Sequence, residues 1–334
     1  MRPVIFGLAG LQLTNEERTF FKQVEPVGFI LFARNVDTPQ QVKALVADLK
    51  ELAGGECLIL IDQEGGRVAR LRPPHFAPTL PVAKLTTDPQ KASDLVIAHS
   101  RLIAAECQAL GINCSCYPVL DVPVDGADPI IGDRAFSTDP KKVAEYGALA
   151  IDTFLEAGIL PVIKHIPGHG RGDVDSHLHL PRVNATSTEL EADFFPFKAA
   201  RNAPLAMTAH IAYDAYDATD PATFSNTVID HVVRGEIGFN GLLMTDDLSM
   251  QALEGDMASR ATRALDGGCD ILLHCNGNME EMVTVFRSIS TINSNLTEKI
   301  EVLLSLTREC IPLDLQQIRD DYAEATAHLW ETSA

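Results

Sequence analysis

One short stretch of this chain concentrates side chains that could do chemistry. Residues 164–181 read KHIPGHGRGDVDSHLHLP and hold four of the ten histidines together with two aspartates. Imidazoles are common zinc ligands, and they are also the side chains that most readily give and take protons near neutral pH. Two kinds of chemistry, a metal centre and general acid–base catalysis, therefore have to be weighed for this stretch.

The metal-centre interpretation depends on two histidine spacings. His165 and His169 form H-x-x-x-H, whereas His177 and His179 form H-x-H. An H-x-x-x-H pair aligns its imidazoles on a helix, but the proline and glycines that follow His165 disfavour a helix there. An H-x-H pair in an extended segment can chelate a metal, because residues i and i+2 share one face, but in a loop its two rings often point to opposite sides. A catalytic metal is therefore kept as an alternative, and the sequence predicts no metal ligand.

The acid–base interpretation rests on the triplet Asp175-Ser176-His177. A carboxylate two residues from an imidazole can accept the ring N–H, which sets the tautomer and raises the pKa of the imidazole. An imidazole that titrates near neutrality can donate a proton and take it back within one reaction cycle. Because many surface triplets of this kind have no function, a second reactive group has to be found elsewhere.

The segment TDDLSM offers that second group. Asp246 and Asp247 directly follow the apolar run GLLMT, so a carboxylate nucleophile is available there, although Asp247 could equally cap the next helical turn. Adjacent carboxylates repel each other, and both ionise only where cations or donors lie nearby. The candidate cations are Lys164, Arg67, Arg70 and Arg134. One carboxylate nucleophile and one proton donor are the groups that a retaining glycosidase needs.

Eight short apolar runs must position these residues, and longer segments of helical period separate them. The runs are Val4–Leu8, Val27–Ala33, Cys57–Asp62, Ile112–Leu120, Leu160–His165, Leu205–His210, Gly241–Asp246 and Cys269–His274. Apolar strands that alternate with helices predict a parallel sheet buried on both faces, and eight such units predict an α/β fold of the (β/α)8 TIM barrel type. A doubly wound sheet is the alternative, but no G-x-G-x-x-G follows any run.

The helical segments carry their own start and stop signals. We expect helices over Pro39–Leu52, Pro89–Leu110 and Pro140–Glu156, because each begins with proline and is followed by glycine within two residues. Residues 290–334 contain two further helical patterns, which we expect to pack outside the barrel. No linker rich in Gly, Ser or Pro interrupts the chain, so residues 1–334 are predicted to form a single domain.

Polar side chains follow six consecutive predicted strands. They are Asp62, Asp121, Lys164 with His165, His210, Asp246 with Asp247, and His274 with Asn276. Each of them alone could be a helix cap or a turn residue. Together they mark the end of the barrel at which active sites lie, because buried ionisable groups are costly unless they are paired or hydrated.

The bulk composition excludes several classes of partner. A net charge of −19 repels nucleic-acid backbones and anionic membranes, so we expect neither. The seven cysteines are scattered, mostly in apolar runs, and form no C-x-x-C pair, which is typical of reduced thiols. The N-terminal apolar run lacks a clear cleavage site and is too short to span a bilayer. We therefore predict a cytoplasmic protein, and we separately expect a monomer without a cofactor.

Four motifs together resemble a known family. KHIPGHG with DSH downstream, IDQEGGRV, IGDRAFS and GLLMTDDLSM are similar to segments of the bacterial β-N-acetylglucosaminidases of glycoside hydrolase family 3, in the same order over residues 1–285. The single-domain cytoplasmic members that act in peptidoglycan recycling are the most similar. The resemblance implies a (β/α)8 barrel without the common second domain. Its implied substrates are small carbohydrates, GlcNAc-1,6-anhydroMurNAc fragments with or without peptide, from which terminal GlcNAc is removed.

The same resemblance implies roles for individual residues. Asp246 would be the nucleophile that forms a covalent glycosyl-enzyme, and His177, held by Asp175, would be the acid–base group. The residues that would bind the GlcNAc unit are Asp62, Arg70, Arg134, Lys164 and His165. Ile166 departs from the phenylalanine of many relatives but stays apolar, and no role is implied for His179.

Three other functions stay open at this point. A metal-dependent barrel hydrolase could use the histidines of residues 165–179. A neutral imidazole base would not repel an anion as a carboxylate would, so phosphate could replace water and make the protein a GlcNAc phosphorylase. A sugar-binding sensor on an inactive barrel is the third alternative, and the complete set of Asp246, His177 and Asp175 argues against it.

Overall fold

The computed structural model describes residues 1–176, 179–307 and 310–330. Its strands are β1 Arg2–Gly7, β2 Pro26–Leu31, β3 Leu58–Ile61, β4 Cys114–Ser115, β5 Leu160–Ile166, β6 Arg182–Val183, β7 Leu205–Thr208, β8 Ala212–Tyr213, β9 Leu242–Asp247 and β10 Ile271–His274. Eight of them form a closed parallel barrel in the order β1-β10-β9-β7-β5-β4-β3-β2, and β6 pairs with β8 beside it. The predicted (β/α)8 TIM barrel is therefore confirmed.

Each of the eight predicted runs overlaps one barrel strand, and the largest difference concerns β4. The run Ile112–Leu120 was expected to be extended throughout, but regular pairing covers only Cys114–Ser115. Pro118 interrupts the ladder because it has no N–H to donate. Beyond it, Val119 forms a single bridge with Lys164, so the chain still reaches the same end of the barrel.

Ten α-helices lie in the described ranges, with one π-helix at Val228–Glu236. They are α1 Asn15–Val24, α2 Pro39–Leu52, α3 Val82–Leu85, α4 Ala92–Leu110, α5 Pro140–Glu156, α6 Ser187–Ala199, α7 Met257–Gly267, α8 Met279–Ser288, α9 Ser294–Leu306 and α10 Leu315–Trp330. The predicted bounds of α2 and α5 are confirmed. Thr38 caps α2 through the Gln41 N–H, and Asp139 caps α5 through the Lys141 N–H.

Helix α4 begins later than predicted. Its expected start at Pro89 was wrong by three residues, because Asp88 organises a separate turn before the helix. The Asp88 carboxylate accepts the Gln90 N–H, and its carbonyl oxygen accepts the N–H groups of Lys91 and Ala92. The predicted end holds, with Gly111 in the left-handed conformation at a φ of 80°.

The barrel strands are mostly apolar up to their carboxyl ends, because both of their faces are buried. In β3, Leu58 and Leu60 belong to the cluster inside the barrel, whereas Ile59 and Ile61 pack against the surrounding helices. Helix α9 adds Ile300 to the inner cluster. It thereby closes the end of the barrel where the strands begin, and helix α10 packs on α4 outside the barrel.

None of the helices in the described ranges combines the length and the apolar character needed to cross a bilayer. The polar strand ends predicted from the sequence gather at the opposite end of the barrel from α9. There β3 is followed by Asp62, β5 contains Lys164 and His165, and β9 ends with Asp246 and Asp247.

Candidate active site

A cavity of about 190 Å³ opens at the carboxyl ends of the strands. Six of the eight residues singled out from the sequence line it, namely Asp62, Arg70, Arg134, Lys164, His165 and Asp246. The seventh, Asp175, is half-buried and lies next in sequence to Ser176, which also lines the cavity. The eighth, His177, lies outside the described residues. The fold therefore brings residues from four different strand ends to one site.

Five charged side chains form a continuous network on the β3–β5 side of the cavity. Asp62 pairs with Arg70 at 2.5 Å and with Lys164 at 2.7 Å. Lys164 also contacts Glu64 at 2.5 Å, and Glu64 holds Arg134 through two hydrogen bonds of 2.8 Å. We call this set, Arg70–Asp62–Lys164–Glu64–Arg134, the charge network. Its three cations and two carboxylates leave one positive charge beside the cavity.

The charge network keeps its members ionised although they are buried or half-buried. Burial by itself raises the pKa of Asp62, but Lys164 and Arg70 lower it further, so the pKa falls below its usual range. Burial likewise raises the pKa of Glu64, and Arg134 and Lys164 reverse the effect. Burial lowers the pKa of Lys164, yet Asp62 and Glu64 bring it above its usual value. At neutral pH the network therefore presents fixed charges to the cavity.

The segment after β3 is shaped to present Arg70 to the cavity. The buried Gln63 side chain accepts the backbone N–H groups of Arg70 and Leu71 and donates to the Leu71 carbonyl oxygen. The guanidinium of Arg70 lies over the Phe32 ring, 5.3 Å from its centroid. Among the described residues, the buried Nε of Arg70 has no hydrogen-bond partner. A donor in such a position can be satisfied by a polar group of a bound ligand.

Asp121, the polar end of the β4 segment, holds the His165 ring near the end of β5 and the backbone of His169 just after it. Its carboxylate accepts the His165 Nδ1–H at 2.7 Å and the His169 backbone N–H at 2.6 Å. Burial raises the pKa of Asp121, but these histidines outweigh it and lower the pKa below its usual value. Because Nδ1 of His165 donates to Asp121, its Nε2 is left as the atom that can meet a ligand.

The β9 side of the cavity carries the two adjacent aspartates. Asp247 accepts hydrogen bonds from the Ser249 hydroxyl at 2.5 Å and from the Cys275 backbone N–H at 3.0 Å. Within the described ranges, the Asp246 carboxylate accepts only the Asp247 backbone N–H, at 2.8 Å. Burial raises the pKa of Asp246, but His210, His165 and other nearby donors lower it below its usual value. An ionised, sparsely bonded carboxylate is what a nucleophile requires.

The loop after β5 is fixed at several points. The Gly168 carbonyl oxygen accepts the Tyr213 hydroxyl at 2.6 Å, and Arg171 pairs with Asp193 of α6 at 2.6 Å. Nε2 of the buried His169 lies 3.1 Å from the Ser176 hydroxyl. Ser176 also lines the cavity. The residue between Asp175 and His177 in sequence therefore lies at the cavity wall.

The histidine-rich stretch is arranged for hydrogen bonding. In residues 1–176, 179–307 and 310–330, no group of three His, Cys, Asp or Glu side chains is placed to hold a metal ion. His165 is engaged by Asp121, and His169 by Ser176. Each of these contacts occupies one ring nitrogen, so it is the lack of a third ligand among the described residues that disfavours a metal centre.

Two supporting residues were not singled out in the sequence analysis. Glu64 links Lys164 to Arg134, and the position of Glu64 two residues after Asp62 in IDQEGG is the signal that could have indicated it. His210 was noted only as a polar strand end. It contacts the Thr223 hydroxyl at 2.7 Å and donates to the Asp247 carbonyl oxygen at 3.0 Å, so it fixes the backbone beside Asp246.

Comparisons with known proteins find similarity over most of the chain. Residues 5–306 match the family model described as Glycosyl hydrolase family 3 N terminal domain. A curated protein named Beta-hexosaminidase from Alkalilimnicola ehrlichii is 41% identical over 282 residues, which are 82% of this chain and 80% of that protein. Another protein of that name, from Tolumonas auensis, is 39% identical over 282 residues, covering 83% of each chain.

Solved structures extend the similarity to the whole barrel. NagZ from Neisseria gonorrhoeae, solved in complex with N-trifluoroacetyl-D-glucosamine, superposes with a TM-score of 0.85 at 31% identity and covers 97% of each chain. A β-N-acetylglucosaminidase from Paenibacillus sp. has a TM-score of 0.83 at 29% identity, covering 97% of this chain and 67% of its own.

Proposed function

The chain belongs to glycosyl hydrolase family 3 and is a glycoside hydrolase similar to the β-hexosaminidases, and from that premise we propose that it is a retaining exo-β-N-acetylglucosaminidase. Its proposed substrates are GlcNAc-1,6-anhydroMurNAc fragments, with or without peptide, and its proposed place is peptidoglycan recycling. The cytoplasmic location and the monomeric state that the sequence predicts are part of the same proposal.

One observation carries the proposal. The ionised Asp246 shares a cavity with the charge network and with His165, and Ser176 brings the chain to the wall of that cavity one residue before His177. A sugar held by Asp62, Arg70, Arg134, Lys164 and His165 would then have its anomeric carbon beside Asp246. Ionised groups recognise hydroxyls well, because a hydrogen bond to a charged group is stronger than one between neutral groups.

In the proposed mechanism the reaction proceeds in two displacements. The Asp246 carboxylate attacks the anomeric carbon while His177 protonates the departing oxygen, and a covalent glycosyl-enzyme forms. His177, now neutral, removes a proton from water, and that water releases GlcNAc with its configuration retained. In this mechanism Asp175 would accept the N–H of the His177 ring, which would leave the other ring nitrogen to exchange the proton with the leaving group and with water.

The most direct test is to trap the intermediate. A fluorinated GlcNAc glycoside with a good leaving group should label the protein once, and peptide mapping should place the label on Asp246. Asp246→Asn should not be labelled, whereas the neighbouring Asp247→Asn, which keeps an oxygen acceptor for Ser249 and the Cys275 N–H, should be. A label on any other carboxylate would refute the assignment of the nucleophile.

Product analysis tests the substrate and the acceptor. Purified GlcNAc-1,6-anhydroMurNAc should be cleaved to free GlcNAc, released initially as the β-anomer, and a peptide-bearing fragment should be compared beside it. Addition of phosphate should not divert the product to GlcNAc-1-phosphate. Phosphate-dependent formation of the sugar phosphate would identify a phosphorylase on the same site, and absence of cleavage would reject the proposed substrate.

A further inference from the structure

Helix α10 lies beyond the residues that match the family model, which end at position 306. It is nevertheless connected to the charge network through buried contacts. Tyr322, which is 2% exposed, directs its hydroxyl at the Nδ1 of His99, at 3.3 Å. Nε2 of His99, a residue with no exposed surface, lies 2.7 Å from the backbone carbonyl oxygen of Glu64.

The donors in this chain of contacts have only one consistent arrangement. Burial lowers the pKa of His99 to about 4, so the ring is neutral at pH 7 and carries one N–H. The Glu64 carbonyl oxygen can only accept, so Nε2 of His99 must donate and its Nδ1 must accept. The Tyr322 hydroxyl therefore donates to Nδ1 and accepts the backbone N–H of Leu80, at 3.1 Å.

The loop that carries Glu64 packs tightly against the His99 ring. A Cβ at Gly65, where φ is 106°, would lie 2.6 Å from the His99 ring and 2.5 Å from the Leu80 carbonyl oxygen. The backbone N–H groups of Glu64 and Gly66 are bonded to the carbonyl oxygens of Val68 and Thr79. A movement of His99 would therefore be transmitted to Glu64, since the loop has no space in which to absorb it.

A second residue of α10, Arg319, holds the segment 75–80 that packs against the Glu64 loop. Arg319 pairs with the buried Glu106 at 2.8 Å and donates to the His75 carbonyl oxygen at 3.2 Å. Glu106 in turn accepts the backbone N–H of Ala77 at 2.9 Å. Helix α10 thus holds the 75–80 segment at both of its ends, and that segment supports the loop at Gly65 and Gly66.

We propose that Tyr322 and His99 are positioning residues for the sugar-binding groups, acting through the backbone of Glu64. Glu64 then orients Lys164 and Arg134 toward the substrate. The proposal rests on the proposed function for its kinetic consequence alone, because the predicted effect on the loop does not depend on which substrate is bound. Neither residue lines the cavity, so neither is a catalytic residue.

Tyr322→Phe is the central variant, because it keeps the ring and removes only the hydroxyl. Its KM for the GlcNAc glycoside should rise about threefold to tenfold, the range for loss of one hydrogen bond, while kcat stays within about twofold. Hydrogen exchange of a peptide covering residues 62–72 should be faster than in the unaltered protein. The matched control is Tyr216→Phe, which loses a hydroxyl bonded to Glu236 at 3.0 Å on another face and should change neither quantity.

Variants at His99 separate positioning from packing. His99→Gln keeps an N–H donor near the position of Nε2, whereas His99→Met fills similar space without one. The Gln variant should retain slow exchange at residues 62–72 and a KM close to that of the unaltered protein, and the Met variant should lose both. Equal behaviour of the two, or a lower melting temperature in Tyr322→Phe with unchanged exchange and KM, would overturn the proposal. Should the unaltered protein cleave no GlcNAc glycoside, the proposed function fails, and the exchange comparison still decides this inference.

Discussion

The two sides of the cavity are built in opposite ways. On the β3–β5 side, each charged group of the charge network touches a group of opposite charge, and Asp62, Lys164 and Glu64 each touch two. On the β9 side, Asp247 is held by Ser249 and by the Cys275 backbone, whereas Asp246 accepts a single hydrogen bond from the described residues. Ion pairs therefore fix the side chains of the first side, whereas the second side leaves the Asp246 carboxylate with few hydrogen bonds to lose when it reacts.

This difference indicates a division of labour. A binding subsite gains from groups that are already oriented, because no reorganisation is then needed when the sugar arrives. A nucleophile gains from having few partners, since each hydrogen bond to its oxygens would have to weaken as it attacks. Variants that alter the β9 side should therefore change kcat, and variants that alter the charge network should change KM.

Removal of the reactive carboxylate should have the largest effect. Asp246→Asn should lower kcat on the order of 10³-fold or more, because an amide cannot form the glycosyl-enzyme. Asp247→Asn is the matched control on the same strand and should lose far less. Initial rates on a chromogenic GlcNAc β-glycoside measure both. Retention of more than about a few per cent of activity in Asp246→Asn would show that the two sides do not divide the work as described.

Loss of the predicted acid–base group should depend on the leaving group. His177→Ala should lower kcat/KM for the natural disaccharide by about 10²–10⁴-fold, and much less for an activated aryl glycoside, which departs with little protonation. His179→Ala, in the same stretch, should alter neither by more than about twofold. An equal loss on both substrates would instead assign His177 to binding.

Disruption of the charge network should act mainly on binding. Glu64→Gln keeps the shape of the side chain but removes the charge that orients Arg134 and Lys164. We expect KM to rise about tenfold to a hundredfold, as for a lost hydrogen bond to a charged group, with a smaller change in kcat. Glu281→Gln is the control, since that carboxylate contacts His274 at 2.9 Å outside the cavity lining. A fall in kcat at constant KM would contradict the assignment of this side to binding.

Acid should weaken the fold through the same carboxylates. The pKa values of Asp62, Glu64 and Asp121 are lowered in the folded protein. Their stabilisation is therefore complete above the unfolded-state pKa, about 4, and is lost as the pH falls through the lower folded-state values. The free energy of unfolding in urea should decline from pH 5 toward pH 3 by this route. Glu64→Gln should show a shallower decline, and parallel curves would argue against the coupling.

Removal of metal should have the smallest effect. Dialysis against a chelator should change activity by less than about twofold, since no group of three His, Cys, Asp or Glu side chains in the described ranges is placed to hold a metal ion. Metal analysis of the purified protein provides the second measurement. Stoichiometric zinc together with loss of activity on chelation would revive the metal-dependent hydrolase as the function of this cavity.

Several features could be predicted because they depend on local order along the chain. The strand runs follow from apolar residues between turn signals, and α2 and α5 follow from Thr38 and Asp139 before proline. The predicted start of α4 was wrong because the hydrogen-bonded turn at Asp88 competes with a helix that begins at Pro89. The site residues were reached through polar strand ends and through a resemblance, and six of them line one cavity.

The sequence by itself determined the barrel and the end at which its polar groups emerge, because strand and helix periods are local and parallel strands share one direction. Only the tertiary structure decided which charge meets which. Glu64 contacts Lys164 from 100 residues away, and Tyr322 reaches His99 across 223 residues. Such pairings carry no periodic signal, because they are made by closure of the barrel and not by the order of residues along any one segment.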